Sequence, residues 1–199
     1  MSREPVLTKK DCVKGACRWS LMAVTTFNYD TQLAPSVVFG IGPLLRKIYP
    51  DDDDYVAALN NHFRYFNTHP WIANLVLGAT LALEDKEGIS ASDAVQNIKV
   101  SLMGPLAGVG DSLAGGIIYP IGIAIGCSMA LDNHSFFGPI FFFVLFTGIM
   151  LVLGNFLYNM GYKQGGSSIM HILGEGKYSI TKLTDAFSIL GLMVIGAMG

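Results

Sequence analysis

From Ser112 to Leu131, and again from Ser135 to Tyr162, the chain carries no charged side chain, over 20 and 28 residues. A bilayer's hydrocarbon core is about 30 Å thick and takes about 20 helical residues to cross, so each run is long enough for a full span. Between them lies only the polar turn Asp132-Asn133-His134, which predicts a hairpin of two helices. The second run leaves through Lys163-Gln164-Gly165-Gly166, so the two loops fall on opposite sides. Composition agrees: 51% of residues are hydrophobic and 14% charged, too apolar for an ordinary soluble domain of this length. The net charge of -2 and the absence of a basic stripe with interleaved aromatics disfavour a nucleic-acid partner. Cys12, Cys17 and Cys127 are odd in number and lack CxxC spacing, and read as free thiols.

The rest of the chain is less regular. Met1 to Arg18 has no apolar core for a signal peptide and carries Arg3, Lys9, Lys10, Lys14 and Arg18 against Glu4 and Asp11. The positive-inside rule puts such a segment in the cytoplasm, and Thr8 with Asp11 predicts a capping box opening an amphipathic surface helix. Between Trp19 and Leu45 the only acid is Asp30, but Pro35, Gly40, Gly42 and Pro43 predict a broken or re-entrant segment. Asp51 to Asp54 predict a helix start whose one face carries Tyr55, Val56, Leu59, Phe63 and Phe66. No further ligands follow those acids at helical spacing, nor do His62, His134 and His171 have ligand spacing, so no metal is expected. Pro70 to Leu83 is apolar but short for a span. Ser90, three residues before Asp93, predicts the cap of a helix over Ser90 to Val100. The glycine-rich stretch Gly104 to Gly116 predicts irregular backbone at membrane depth, with Asp111 at the head of the next span. It lacks the lysine of a phosphate loop, so no nucleotide is expected. The phenylalanines from Phe136 to Phe146 are expected to face lipid or neighbouring helices. Ala186 to Gly199 is apolar and reads as a membrane segment cut short at the chain end.

Four stretches, in this order and spacing, resemble the IID proteins of the mannose, fructose and sorbose phosphotransferase family. They are Phe27-Asn28-Tyr29-Asp30, Phe66-Asn67-Thr68-His69-Pro70, Leu102 to Ser112 (LMGPLAGVGDS), and Ser188-Ile189-Leu190-Gly191-Leu192 after Lys182-Leu183-Thr184. Two positions depart from the family pattern. Asp30-Thr31 stands where glutamate and arginine are usual, and Tyr119 stands where an arginine commonly precedes proline, so a charge pair built on that arginine cannot exist here. Family members also continue past the position of Gly199, so the resemblance implies one IID-type membrane domain, 1–199, without the family's C-terminal segment. It divides into a cytoplasmic start (1–18), broken helices and polar loops (19–116) and a transmembrane region (117–199).

The candidate sugar-binding residues are Asn28, Asp30, Asn67, Thr68, His69, Asp111 and Ser112. A carboxylate with an amide two residues away, as in Asn28 and Asp30, can accept from and donate to adjacent sugar hydroxyls, and an ionisable group in an apolar run points to function. The bland alternatives are that Asn28 and Asp30 cap a broken helix or tie the chain to a partner, that Asp111 is a helix N-cap, and that Thr68 or His69 finishes a turn. Pro70 restricts His69 to extended geometry and suits the first position of a helix.

The expected fold is thus an all-α integral membrane protein, with broken or re-entrant helices, at least two full spans and an amphipathic cytoplasmic start. The resemblance implies a multi-pass subunit of the bacterial inner membrane, within a phosphoenolpyruvate-dependent phosphotransferase system. Its partners would be a IIC membrane subunit, the cytoplasmic phospho-IIB and IIA subunits, and the sugar, with several IIC–IID pairs per complex. Catalysis and cofactors are not expected in this chain. The competing readings are a stand-alone secondary transporter, which needs its own ion-coupling acids and usually a second repeat, and a membrane enzyme using Asp111 and His69 as acid and base.

Overall fold

A computed structural model describes residues 3–133 and 136–198, essentially by backbone alone beyond Gly165. The first helix, α1 (Lys9–Met22), opens with the predicted capping box. The Thr8 Oγ1 accepts from the Asp11 amide at 3.3 Å, and the Asp11 carboxylate accepts from the Thr8 amide and hydroxyl at 3.0 and 2.7 Å. Lys47 reaches the same carboxylate at 2.5 Å and, with Thr8, holds its pKa well below the usual range. The predicted break after Trp19 falls in the loop 23–33. Pro35, Gly40, Gly42 and Pro43 break nothing, because they lie within one helix, α2 (Ala34–Ile48), with Pro35 in its first turn. Gly40 is needed there for approach: a Cβ would stand 3.3 Å from the Trp19 Cα.

The acidic run opens α3 (Asp52–His62), with Asp51 accepting from the amides of Asp53 and Asp54 at 3.0 and 3.2 Å. The predicted apolar face holds for Tyr55 and Leu59, which pack against the core beside Gly42 of α2, and is corrected for the rest. Val56 and Phe63 are exposed, Phe66 lies beyond the helix, and the buried positions are Ala58 and His62. Only a narrow stripe touches α2, so helical spacing alone overstated the face.

At the centre stands α4 (Pro70–Glu87), buried along nearly its whole length and touched by α1, α2, the helix that follows it and, most extensively, the last helix of the chain. It runs past the end of the apolar run at Leu83, where the acids that follow find partners: Glu84 meets His62 at 3.0 Å and Asp85 accepts from the Val6 and Leu7 amides at 2.9 and 3.1 Å, while the polar residues further up are bonded within the helix. Thr80 donates to the Leu77 carbonyl and Asn74 to that of Trp71, both at 3.0 Å. A 3₁₀ turn, Gly88–Ala91, leads to α5 (Ser92–Leu113). Ser90 is therefore no cap; its hydroxyl donates to the Glu87 carbonyl at 2.8 Å, and the N-cap Ala91 has no capping side chain.

The glycine-rich stretch is also corrected. Gly104, Pro105, Gly108 and Gly110 all lie inside α5, which passes through a π-helical segment, Ala114–Ile118, into α6 (Tyr119–Asn133). The Tyr119 amide bonds to the Ala114 carbonyl five residues back, so the π turn absorbs the irregularity without breaking the column. Asp111 consequently sits in the last turn of α5 and is not an N-cap.

The last helix, α7 (Phe137–Met198), breaks at Gly165, whose φ of 72° suits glycine and follows the predicted exit Lys163-Gln164. Pro70–Leu131 and Phe137–Gly165 each contain a helix long and apolar enough to cross a membrane, with mean hydropathies of 1.7 and 2.4. His134 of the predicted turn lies outside the described residues, as do the side chains of His171 and of most of Ala186 to Gly199. Phe136 and Phe143 of the phenylalanine run are exposed as expected.

Glycines let α7 press on its neighbours. A Cβ on Gly78 of α4 would collide with the Tyr158 carbonyl, and one on Gly161 of α7 with the Leu75 carbonyl. Gly138 and Gly126 meet in the same way between α7 and α6. The first helix is more deeply packed than a surface helix: Cys12, Gly15, Ala16 and Trp19 are buried, and Gly15 abuts the Tyr158 hydroxyl of α7. Burial pushes the Cys12 thiol up to about 11, leaving it an inert core residue.

Two outcomes follow. Gly78→Leu or Gly161→Leu must separate α4 from α7 backbone to backbone, costing at least about 2 kcal/mol; thermal melts in detergent should show a lowered midpoint for either, with Gly148→Leu, where nothing lies within 4 Å, as the tolerated control. Because the folded pKa of Asp11 is depressed, its contribution is full above about pH 4 and lost as pH falls through the folded value. Asp11→Asn should remove the loss of stability that the native chain shows on acidification below that point, read by the same melts.

Candidate functional site

The loop after α1 is built around Asn28. Its Oδ1 accepts from the amides of Asp30 and Thr31 at 3.0 and 2.9 Å, closing a turn in the manner typical of asparagine. Asn28 and Gln32 pair through both backbone groups, and Gln32 takes the left-handed φ of 58°. The loop is then tied to the stretch before α4: the Leu33 amide donates to the Phe66 carbonyl at 3.0 Å, and the Phe66 amide to the Thr31 carbonyl at 3.3 Å. Two motifs some 35 residues apart in sequence thus share a pair of backbone bridges.

His69 joins the third motif. It has the extended geometry imposed by Pro70 (φ −62°, ψ 128°), caps α4 by accepting from the Trp71 amide at 3.4 Å, and is largely buried. A Cβ on Gly110 would overlap the Cβ and Cγ of His69, so the glycine of Gly110-Asp111 is the space in which His69 lies. An aromatic ladder holds the other side. His69 meets Trp71 edge-on at 5.4 Å, Trp71 meets Tyr119 at 5.9 Å, and Tyr119 stacks on Phe146 at 5.0 Å. Tyr119 is therefore a packing residue beside the site. Trp19 fixes the head of α4 by donating from Nε1 to the Pro70 carbonyl at 2.8 Å.

The candidate residues divide by exposure. Asp30, Asn67, Asp111 and Ser112 face outward, as do Phe27 and the 93% exposed Tyr29, whereas Asn28 is half-buried and Thr68 and His69 are inside. Asn28 has its amide engaged in the turn, and the Thr68 hydroxyl is buried without a partner. The outward set offers three polar types that suit sugar hydroxyls: carboxylate, amide and hydroxyl.

The outward residues of these joined loops form a rim, and linked to it through Phe66 is a buried ionisable group that no local pattern announced. His62 Nε2 and Glu84 Oε2 are 3.0 Å apart with both side chains essentially fully buried. The fully buried Lys99 donates to the His62 carbonyl at 3.0 Å and lies 5.4 Å from the centre of the Phe66 ring. These residues come from α3, α4 and α5, 22 and 37 positions from His62 in sequence, so only the packing joins them. Phe66 is the residue that bridges to the Asn28 loop, so Lys99 supports the rim from below. Removing one member of a buried charged group leaves the others uncompensated, at about 3 kcal/mol. Lys99→Met should accordingly speed amide exchange at Leu33, whose hydrogen bond ends on Phe66; unchanged exchange there would separate the buried group from the rim.

Comparison with known proteins places this arrangement. A model of the PTS system mannose/fructose/sorbose family IID component matches residues 6–199. The mannose-specific EIID component of Escherichia coli K12 is 36% identical, over 98% of this chain and 69% of its own length. The fructose permease IID component of Bacillus subtilis is 35% identical over the full chain and 71% of its own, and the sorbose-specific EIID component of Klebsiella pneumoniae 34% identical over 96% and 69%. Among solved structures, a cryo-EM complex of the mannose transporter ManYZ with microcin E492 aligns at a TM-score of 0.74 and 34% identity, covering 98% of this chain and 71% of that one. Another, described only as a membrane protein, aligns at 0.86 and 36%, covering 97% and 70%. On these matches the chain belongs to the mannose/fructose/sorbose family of phosphotransferase-system IID components.

Proposed function

We propose that the chain works as the IID half of a sugar-translocating unit shared with a IIC subunit, in which sugar bound at the rim passes to phospho-IIB for phosphorylation during uptake. The observation that carries this reading is the joining of the three family motifs, by the Thr31–Leu33 bridges to Phe66 and by the seat of His69 on Gly110. Asp30, Asn67, Asp111 and Ser112 stand outward from that junction and would meet sugar at the contact with IIC, while Asn28, Thr68 and His69 shape the loops that present them. No phosphoryl group is carried by this chain; that chemistry belongs to IIA and IIB. Residues 1–199 act as one membrane unit of the bacterial inner membrane, multi-pass, in a complex of several IIC–IID pairs.

A cytoplasmic N-terminus is supported by charge at one end of the bundle. The Arg3 amide donates to the Lys86 carbonyl at 2.7 Å, and Lys9 of α1 and Lys163 of α7 line one groove. The relatives named for mannose, fructose and sorbose are 36, 35 and 34% identical, too close together to select a sugar. A hexose or ketohexose is the class proposed.

Uptake of labelled mannose, fructose and sorbose by membranes carrying this chain with its IIC and cytoplasmic partners tests the reading. Asp30→Asn and Asp111→Asn should raise the apparent KM about tenfold, the loss of one charged hydrogen bond of roughly 1.5 kcal/mol, with IIC still co-purifying. Normal KM in both would remove these acids from the sugar site, and uptake by the purified chain without IIC would favour the stand-alone transporter.

A further inference from the structure

We propose that the groove between the start of α1 and the end of the membrane-crossing part of α7 binds the headgroup of an anionic phospholipid. The groove has a volume of about 510 Å³ and is lined by Lys9 of α1 and by Asn155, Phe156, Asn159, Met160, Lys163 and Gln164 of α7. That size lies within the range of small-ligand clefts, roughly 300–1,000 Å³.

Its chemistry is graded along α7. Lys163 is the first charge after the 28-residue uncharged run, so it marks the place where the span meets the membrane surface, and the break at Gly165 follows two residues later. Lys9 faces it across the groove from the cap of α1. Among the described residues neither ammonium group is in an ion pair: Lys9 and Lys163 are exposed, and the salt bridges engage other cations. Toward the membrane interior the wall becomes apolar, with the largely exposed Phe156 beside Met160. The two amides do not compete for an anion, because Asn155 Nδ2 donates to the Leu151 carbonyl at 2.9 Å and Asn159 Nδ2 to the Asn155 carbonyl at 2.8 Å. Two cations at the surface above an apolar wall match a phosphodiester headgroup with its acyl chain along the helix, and basic clefts between membrane helices are the usual seats of such lipids. A soluble phosphate would use the lysines alone and make no use of the apolar wall at Phe156. An acidic protein segment would need no apolar contact at membrane depth.

The site does not touch the rim and does not depend on which sugar is carried. A lipid held there would brace α1 against α7 beside the contact of Gly15 with Tyr158.

The test is native mass spectrometry of the chain with its IIC partner, released from nanodiscs of equal parts phosphatidylglycerol and phosphatidylcholine. The complex should retain phosphatidylglycerol in preference to phosphatidylcholine. Each lysine contributes roughly a fivefold preference at a membrane surface, so Lys9→Gln with Lys163→Gln should lower retention roughly 25-fold. Lys163→Arg alone should keep it. Lys10→Gln with Lys14→Gln removes the same charge outside the groove and should also keep it. The proposal is overturned if the native complex shows no preference, if the groove variant retains as much as the native chain, if both lysine pairs lose lipid equally, or if cross-linking from Gln164 finds a partner segment in the groove.

Discussion

Everything in this chain is arranged around the burial of α4 against α7 at backbone distance. Hydrophobic association cannot drive helices together within a bilayer, because lipid is as apolar as leucine. Close packing and internal hydrogen bonds have to do it. Gly78 and Gly161 permit the approach, Gly154 admits the side chains of Ser20 and Asn74, and Tyr158 fills the space that Gly15 leaves in α1. With α4 enclosed in this way, its two ends become fixed points. At one end His69 and Pro70 set the rim; at the other, Asp85 receives the amides of Val6 and Leu7 at 2.9 and 3.1 Å together with the Tyr162 hydroxyl.

Polar groups in this setting do structural work first. Asp85 gathers the N-terminal strap, α4 and α7. Glu84, His62 and Lys99 join three helices and reach the rim through Phe66. Beside Glu84 the phenol of Tyr49 is buried, and burial with that carboxylate pushes its pKa far above the ordinary value, so it stays neutral. Burying charge is costly unless it is paired, so such a cluster commits three helices to one arrangement. The rim residues inherit that rigidity while remaining open on their outer side, a sensible division for a surface that must receive sugar between two subunits.

Much of the helical layout was legible because it rests on local rules. The Thr8–Asp11 capping box, the acidic start of α3, Pro70 at the first position of α4 and the exit after Tyr162 all appear where residue type and spacing put them. The misreadings share a cause. Gly40, Gly42 and Pro43, like the glycines of α5, looked like breaks. Gly40 and Gly110 instead make room for the Trp19 backbone and the His69 side chain, which a sequence does not show, and Gly104 and Gly108, with nothing within 4 Å, simply continue the helix. Asp111 reads as a helix head only if those glycines end the helix before it, and α5 continues past it into the π turn. The candidate site was legible as motifs, yet the roles within it were not: that Asn28 spends its side chain on its own loop and Tyr119 on an aromatic stack follows from partners distant in the chain.

The sequence by itself determined the class of the protein, its two long apolar spans, the residues that open α1, α3 and α4, and the family to which its motifs belong, because each depends on composition or on neighbours within a few residues. Tertiary structure alone decided which polar residues face outward, that Phe66 links the first two motifs, that Gly110 makes room for His69, and that His62, Glu84 and Lys99 meet in the core. Those outcomes depend on contacts between segments tens of residues apart, and the free energy of a contact exists only once packing has brought its two halves together.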